Sequence, residues 1–147
     1  MSKILKIEEV YDITLGNYKY PTYDGIMIET EDEVIYFVIQ NGQFCCENWG
    51  TYLYTPEKLE NYIGADYLGY TESTCEQIVN FLKSEYVSPD ETCFLNIKTS
   101  NGDIDYAVYN SHNGYYSHDV VLKITNKKTG KTDLPIKDYL WLESEDE

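Results

Sequence analysis

The segment that decides the fold reads LNIKTSNGDIDYAV and spans residues 95–108. Apolar and polar residues alternate on both sides of an Asn-Gly pair, and such a pair favours the tight turn of a β-hairpin. A turn at Asn101-Gly102 predicts two antiparallel strands with one face in the core and the other mostly in water. The core face holds Leu95, Ile97, Thr99, Ile104, Tyr106 and Val108, and the other holds Asn96, Lys98, Ser100, Asp103 and Asp105.

A second Asn-Gly pair, Asn41-Gly42, follows the nearly continuous apolar run 34–39. A two-residue turn at this pair predicts a second hairpin, and the apolar run indicates that its first strand is well buried. The expected cross-strand pairs are Ile39 with Phe44, Phe37 with Cys46 and Val34 with Trp49.

A third Asn-Gly pair, Asn113-Gly114, separates the strand that ends at Tyr109 from the run 120–124. A strict two-residue turn would bury Asp119 and Lys123 on the core face. A one-residue bulge shifts the register and moves these two charged side chains to the solvent face, so we expect a bulge or a wider loop here. The residues then aligned with the core are Val120, Leu122 and Ile124.

Two helical signals lie between the first two hairpins. Thr55-Pro56-Glu57 resembles a helix start, and a short apolar stripe follows it and ends at Gly64. Ser73-Thr74-Cys75-Glu76 fits a capping box, and a stripe through Ile78, Leu82 and Tyr86 follows it. With further strands at 10–15 and 25–29, we expect an α+β fold: an antiparallel sheet of about six strands, built from hairpins, with one or two helices packed on one face.

Charge removes several classes of function. The 147 residues include 26 acids and 11 basic residues, all of them lysines, which gives a formal net charge of −15. This charge repels a phosphate backbone, and a chain without arginine has no bidentate reader of phosphate or guanine. We therefore expect no direct binding to nucleic acid. No apolar run approaches the length that spans a bilayer, so we expect no membrane association.

The chain is tyrosine-rich and alanine-poor. It has 16 tyrosines, and Ala65 and Ala107 are its two alanines. Such usage favours strands over a helical bundle. An AT-rich genome and a tyrosine-rich interface both account for it, and the two explanations are compatible.

The length predicts a single domain, at residues 1–142, followed by an acidic tail at 143–147. The tail, Glu143-Ser144-Glu145-Asp146-Glu147, is typical of a solvated terminus. The first residues are too charged for a signal peptide, so we expect a cytoplasmic protein.

The candidates for metal binding or nucleophilic catalysis are few: Cys45, Cys46, Cys75, Cys93, His112 and His118. Adjacent cysteines in a strand point to opposite faces and chelate poorly, so we expect reduced cysteines in the core and no metal site. A cysteine nucleophile with a histidine base, completed by Asp119, is the enzymatic alternative. No lysine lies beside the cysteines to favour a thiolate, so we expect no enzyme and no cofactor.

The segment 111–118 combines turn-forming residues with two histidines and the adjacent Tyr115 and Tyr116. One interpretation is a hairpin tip with one tyrosine folded onto the sheet. The other is a recognition loop, in which a tyrosine stacks on a ligand or anchors a partner while His112, Asn113 and His118 supply hydrogen bonds.

Two short motifs resemble a known family. Cys45-Cys46-Glu47, and Asn113-Gly114-Tyr115-Tyr116-Ser117 directly after a strand, are similar to the signature of a small domain of unknown function that is common in phages and prophages of bacteria. The resemblance covers roughly residues 25–122. It implies a small phage accessory protein that acts inside a bacterium, and it carries no activity.

Together these features predict a small acidic phage-encoded binding protein that inhibits a host nucleic-acid-handling defence protein, such as a nuclease or CRISPR effector, by partial DNA mimicry. One alternative is a protein that sequesters a host nucleotide signal near Trp49 and the 112–118 loop. The other is a phage structural or accessory protein. The expected binding residues are Glu47, Trp49, Asp103, Asp105, His112, Asn113, Tyr115, Tyr116 and His118.

Overall fold

The computed structural model describes residues 2–16, 21–42, 48–88, 91–111 and 118–140. Within these ranges the chain forms nine strands, one α-helix and one 3-10 turn at Leu59–Tyr62. The strands are β1 (Ser2–Ile13), β2 (Tyr23–Thr30), β3 (Glu33–Gln40), β4 (Asn48–Tyr54), β5 (Asp66–Thr71), β6 (Thr92–Thr99), β7 (Gly102–Ser111), β8 (His118–Asn126) and β9 (Thr132–Leu140), and the helix is α1 (Glu76–Ser84).

The nine strands form one antiparallel sheet in the order β4-β7-β6-β5-β1-β2-β3-β8-β9. The central strand β1 joins two halves, because Ser2 and Lys3 pair with β5 while the rest of β1 pairs with β2. Inward-facing side chains of both halves form one buried cluster. Phe37 of β3 meets Tyr106 of β7 edge to face, with ring centroids 6.1 Å apart. The sheet therefore folds over on itself, and the core lies between its two halves.

The expectation of about six strands with one or two helices on one face is wrong. The sheet covers its own apolar face, so the main core needs no helical layer. Helix α1 packs instead on the outer face of β4, β6 and β7, where a second apolar cluster forms. Its buried members are Cys75, Ile78, Leu82, Val87, Phe94, Ala107 and Tyr109.

The hairpin expected at Asn41-Gly42 does not form between β3 and β4. Strand β3 already has a neighbour on each edge, β2 and β8, so no edge remains for the next strand. Strand β4 pairs instead with β7 at the far edge of the sheet. Val34 and Trp49, which we expected to pair, therefore lie in different halves. Their companions in the expected hairpin, Phe44 and Cys46, lie outside the described residues.

The hairpin at residues 95–108 is confirmed. Strands β6 and β7 pair along their lengths, and the predicted apolar face is the one in the core. The turn comes one residue earlier than expected, at Ser100-Asn101, because Thr99 pairs with Gly102. The Thr99 hydroxyl donates to the Gly102 carbonyl (2.6 Å) and accepts from the Asn101 amide (3.1 Å). This side chain closes the turn.

Strands β7 and β8 do not pair, so the expected third hairpin is also wrong. Strand β8 lies between β3 and β9, whereas β7 lies between β4 and β6 in the other half of the sheet. The chain changes halves between Ser111 and His118 through residues outside the described ranges. The predicted facing is nevertheless confirmed, because Val120 and Leu122 are buried in the core and Ile124 packs against it.

Both helical segments exist but are shorter than predicted. The first is the single 3-10 turn. The second, α1, begins after Cys75 without a side-chain cap, so the expected capping box does not form. Tyr86, expected on the apolar stripe, has a left-handed backbone (φ 60°) and is 93% exposed, and Val87 takes the buried place.

Buried tyrosines make the fold sensitive to alkaline pH. Burial raises the pKa of Tyr106, and burial together with the Glu33 carboxylate raises the pKa of Tyr67. Because the folded protein holds these protons more tightly, stability is lost as pH rises above the unfolded pKa of about 10. We expect each such tyrosine to lower the free energy of unfolding by about 1.4 kcal/mol per pH unit above that point.

Urea unfolding curves at about pH 9, 10 and 11 measure this decline. In Tyr106→Phe the decline should be shallower by the contribution of one proton, because one titrating group is gone. Tyr86→Phe changes an exposed ring and should keep the slope of the original protein. Equal slopes in all three proteins would contradict the expectation.

Candidate functional site

Three connections of the chain start and finish at one end of the sheet. Ile13 at the end of β1 pairs with Tyr23 at the start of β2. Asn48 at the start of β4 pairs with Ser111 at the end of β7. The Nδ1 atom of His118, the first residue of β8, lies 2.5 Å from the carbonyl oxygen of Gln40, the last residue of β3. We call this end, where β1, β3 and β7 finish and β2, β4 and β8 begin, the loop end.

A polar cluster organises the loop end. The Asn41 amide donates to Asp12 Oδ1 (2.6 Å) and to Asp24 Oδ1 (2.9 Å), and its own oxygen accepts from the Thr22 hydroxyl (2.7 Å). The Asp12 backbone amide also donates to Asp24 Oδ1 (3.0 Å). One neutral amide thus holds two carboxylates side by side. This arrangement presents concentrated negative charge on a fixed frame.

The backbone of β1 explains why Asp12 reaches this cluster. The register between β1 and β2 shifts between Val10 and Ile13, and Asp12 has a left-handed φ of 54°. A bulge turns the side chains that follow it away from the regular alternation. Aspartate tolerates the left-handed conformation better than most residues do. The bulge therefore aims Asp12 at Asn41 rather than along the sheet.

An exposed aromatic ring stands beside the cluster. Tyr11 is 60% exposed. Partial burial of its phenol, followed by the carboxylates of Glu9 and Asp24, raises the pKa of Tyr11 above its usual range. Glu9 is half-buried, and its own pKa is raised by that burial. The loop end therefore combines a large accessible ring with carboxylates that are close enough to interact with it electrostatically.

Trp49 and His118 also meet at the loop end. Their rings are stacked, with centroids 5.4 Å apart and planes inclined by 29°. His118 is 1% exposed, and its Nδ1 contacts the Gln40 carbonyl. The structure therefore brings these two predicted site residues together, and they pack on each other inside the fold. They link β4 of one half to β8 of the other.

Asp103 and Asp105 lie elsewhere. They are on the outer face of β7 near the Ser100-Asn101 turn, at the opposite end of that strand from the loop end. The Asn96 amide donates to Asp105 Oδ1 (2.8 Å) and Asp103 Oδ2 (3.3 Å), and Lys98 pairs with Asp103 at 3.5 Å. These two acids therefore belong to a separate surface.

The remaining predicted site residues, Glu47, His112, Asn113, Tyr115 and Tyr116, lie outside the described residues, as do Cys45 and Cys46. Cys75 is buried at the start of α1, where its thiol donates to Gln77 Oε1 (3.2 Å), and Cys93 is partly buried. In the part of the chain that the structure describes, no three His, Cys, Asp or Glu side chains are placed to hold a metal ion.

Sequence reasoning missed Tyr11, Asp12, Asp24 and Asn41. Asn41 was read as a turn residue only, and Asp12 lay inside an ordinary strand signal. These residues come together through a bulge and through pairing of β1, β2 and β3, and neither has a short-range pattern. The one local pattern that could have indicated this site is Tyr11 followed by Asp12 in a predicted strand. That pattern is common in surface strands and therefore does not single out a site.

The chain belongs to a family of domains of unknown function, DUF7448, whose model matches residues 2–122. The match ends within β8, so β9 and the β8–β9 turn lie beyond it. The chain has no match among curated proteins or among solved structures. No helix in the described ranges is long and apolar enough to cross a membrane.

Proposed function

We propose that this protein is a small phage-encoded binding protein, acting in the cytoplasm of a host bacterium, that inhibits a host protein whose basic groove handles nucleic acid. The observation that carries the proposal is Tyr11, an exposed ring beside the carboxylates of Glu9 and Asp24. Aromatic side chains supply much of the binding energy at interfaces, and surrounding carboxylates match a basic partner.

The uneven spread of charge supports a basic partner. Residues 118–140 hold only three acids, Asp119, Asp133 and Asp138, and five of the 11 lysines: Lys123, Lys127, Lys128, Lys131 and Lys137. The rest of the chain therefore holds 23 of the 26 acids and six lysines. A field of this sign attracts a basic groove and repels duplex DNA, most strongly at low salt.

The loop end is favoured over the other acidic surfaces because, among the residues that the structure describes, no lysine forms an ion pair with Asp12 or Asp24. Asp103 is paired with Lys98. Glu29, in the acidic run 29–33, lies 2.6 Å from Lys127. At the loop end the partner of Asp12 and Asp24 is the neutral amide of Asn41, which leaves both negative charges in place.

The phage origin is supported by the resemblance of the two motifs. The segments that carry them join the described fold at the loop end: Glu47 precedes Asn48, the first residue of β4, and Ser117 precedes His118, the first residue of β8. Binding through this end agrees with the way rigid sheets present connecting segments to partners.

A capture experiment tests the proposal. The full chain is immobilised and incubated with lysate of a bacterium that expresses a CRISPR effector and restriction nucleases, and bound proteins are eluted with duplex DNA. We expect a nucleic-acid-handling protein to be released by the DNA and to bind more weakly as salt rises. Tyr11→Ala should weaken its binding by at least about tenfold, which is the lower range for an interface anchor.

Tyr86→Ala is the matched control, because Tyr86 is an exposed tyrosine far along the chain after α1. Asp12→Asn with Asp24→Asn removes charge while keeping an oxygen for the Asn41 amide. The proposal is wrong if DNA releases no protein, if binding is indifferent to salt, or if Tyr11→Ala and Tyr86→Ala bind equally well.

A further inference from the structure

A cavity of about 180 Å³ opens on the outer face of the half-sheet that contains β2, β3, β8 and β9. This face is opposite to the main core and carries a small apolar cluster of its own, built on Tyr23, Val38 and Val121. Tyr23 and Val121 form the apolar side of the cavity together with Leu15 and Leu134. Leu134 is 47% exposed, so apolar surface at the mouth faces solvent.

Strand register places two lysines at this cavity. Lys137 lies opposite Val121 in the β8–β9 pair, and Lys123 is two residues further along β8 on the same face. The register shifts between Leu122 and Ile124, and this irregularity sets Leu134 beside Lys123 at the cavity wall. Diagonal neighbours in an antiparallel pair are close enough for two long side chains to reach one group.

The two lysines have no carboxylate partner among the residues that the structure describes. Lys3, Lys6, Lys98 and Lys127 each lie within 4 Å of an acid (2.8, 3.7, 3.5 and 2.6 Å). Lys123 is partly buried, which makes an unpaired ammonium there more costly than at an open surface. In a chain with 26 acids, two lysines beside an apolar cavity form a local site for negative charge.

The two ends of the cavity carry opposite charges. Asp119 lies on its wall, two residues before Val121, and its Oδ2 accepts a hydrogen bond from the Tyr23 hydroxyl at 3.4 Å. Lys123 is two residues beyond Val121 on the same face of β8. A negative group is therefore repelled at the Asp119 side and attracted at the Lys123 side. A ligand with one anionic end lies along the cavity in one orientation.

We propose that this cavity binds a small anion with an apolar, ring-sized body, whose anionic group lies between Lys123 and Lys137. A cavity of about 150 Å³ accommodates benzene, so 180 Å³ suits one aromatic ring system and not a larger chain segment. The net charge of −15 also opposes a large acidic partner, whereas a single small anion meets mainly the two nearby ammonium groups. One end of the cavity, at Tyr23 and Asp119, borders the loop end, whereas Lys123 and Lys137 lie further along β8 and β9, away from that end.

Matched pairs of probes test the inference by calorimetry with the full chain. Phenyl phosphate is compared with phenol, and indole-3-acetate with indole-3-acetamide, so that each pair differs in charge and the two pairs distinguish a phosphate from a carboxylate. We expect at least one anion to bind about tenfold more tightly than its neutral partner, the gain typical of a charge-assisted contact. Lys123→Gln with Lys137→Gln should remove that gain.

Lys128→Gln is the control, because Lys128 is an exposed lysine in the β8–β9 turn and does not line the cavity. It should leave the affinity for the anion unchanged. The inference is overturned if neither anion binds, if both members of each pair bind equally, or if Lys128→Gln weakens binding as much as the double variant. Circular dichroism of each variant establishes that a loss of binding is not a loss of fold.

Discussion

Replacing Gly25 with alanine is expected to lower the free energy of unfolding by about 3 kcal/mol or more. A Cβ atom at Gly25 would lie 2.1 Å from the Phe37 carbonyl oxygen and 2.6 Å from the Val38 Cα. Both are backbone atoms of β3, the strand that pairs with β2 at this point. Because backbone inside a sheet cannot move aside as a side chain can, the new methyl group forces the two strands apart.

Urea unfolding followed by fluorescence measures this change, and Gly42→Ala is the control. A Cβ at Gly42 meets no atom of the described residues within 4 Å, so that substitution should change the free energy of unfolding by less than about 0.5 kcal/mol. Nearly equal stabilities for the two variants would mean that β2 and β3 do not approach each other as closely as the structure places them.

The close approach at Gly25 illustrates what periodicity in a sequence reveals and what it leaves open. The run that begins at Gly25 was correctly read as a strand, and glycine in a strand is compatible with a close backbone approach. The neighbour that approaches was not predictable, because it depends on the partner of β2. The two-residue period of a strand assigns each side chain to one face of the sheet. It does not reveal which other strand pairs with that strand.

Two of the Asn-Gly pairs also show that a local turn pattern does not determine which strands pair. Asn101-Gly102 lies at a hairpin, although the turn residues are Ser100 and Asn101, and Gly102 already pairs with Thr99 as the first residue of β7. Asn41-Gly42 ends β3 without forming a hairpin with β4, since β2 and β8 occupy both edges of β3. The turn residues are alike, and long-range pairing decides between the outcomes. Which side chains face the core was predictable even so, because Val120 and Leu122 are buried there as expected.

The missed strands have physical reasons. β5 (Asp66–Thr71) contains Gly69 at φ 112° and a register shift, so its apolar alternation is interrupted. β9 (Thr132–Leu140) is a polar edge strand that contains Pro135, and proline argues against a strand except at an edge. In both segments the sequence pattern for a strand is weak, and pairing with the neighbouring strand stabilises the extended conformation.

The candidate site was predicted only in part. Trp49 and His118 are distant in sequence, and the structure stacks them. Asp103 and Asp105 were placed on the correct outer face of their hairpin, but they lie at the other end of β7 from those rings. Tyr11 and the acids around Asn41 were missed, because a bulge and the pairing of three strands bring them together. Charge was visible from composition, whereas its location required the fold.

Truncating Phe37 to alanine is expected to cost about 3–5 kcal/mol of unfolding free energy, the range for a fully buried aromatic residue. Phe37 is completely buried between the two halves of the sheet, and its ring meets Tyr106 edge to face. The loss removes apolar contacts and leaves a cavity where β3 and β7 meet across the core. Urea unfolding measures it, and Ile63→Ala, at a half-exposed position, should cost far less.

A double-mutant cycle tests the folding-over of the sheet itself. Phe37→Leu and Tyr106→Leu keep apolar bulk, and we expect their combined effect to depart from additivity by about 0.5–1.5 kcal/mol, the worth of an aromatic pair. Phe37→Leu with Phe94→Leu is the control, because Phe94 belongs to the outer cluster under α1. That pair should be additive within about 0.5 kcal/mol. In an open sheet β3 and β7 would be separated by the four strands β6, β5, β1 and β2, and both cycles would be additive.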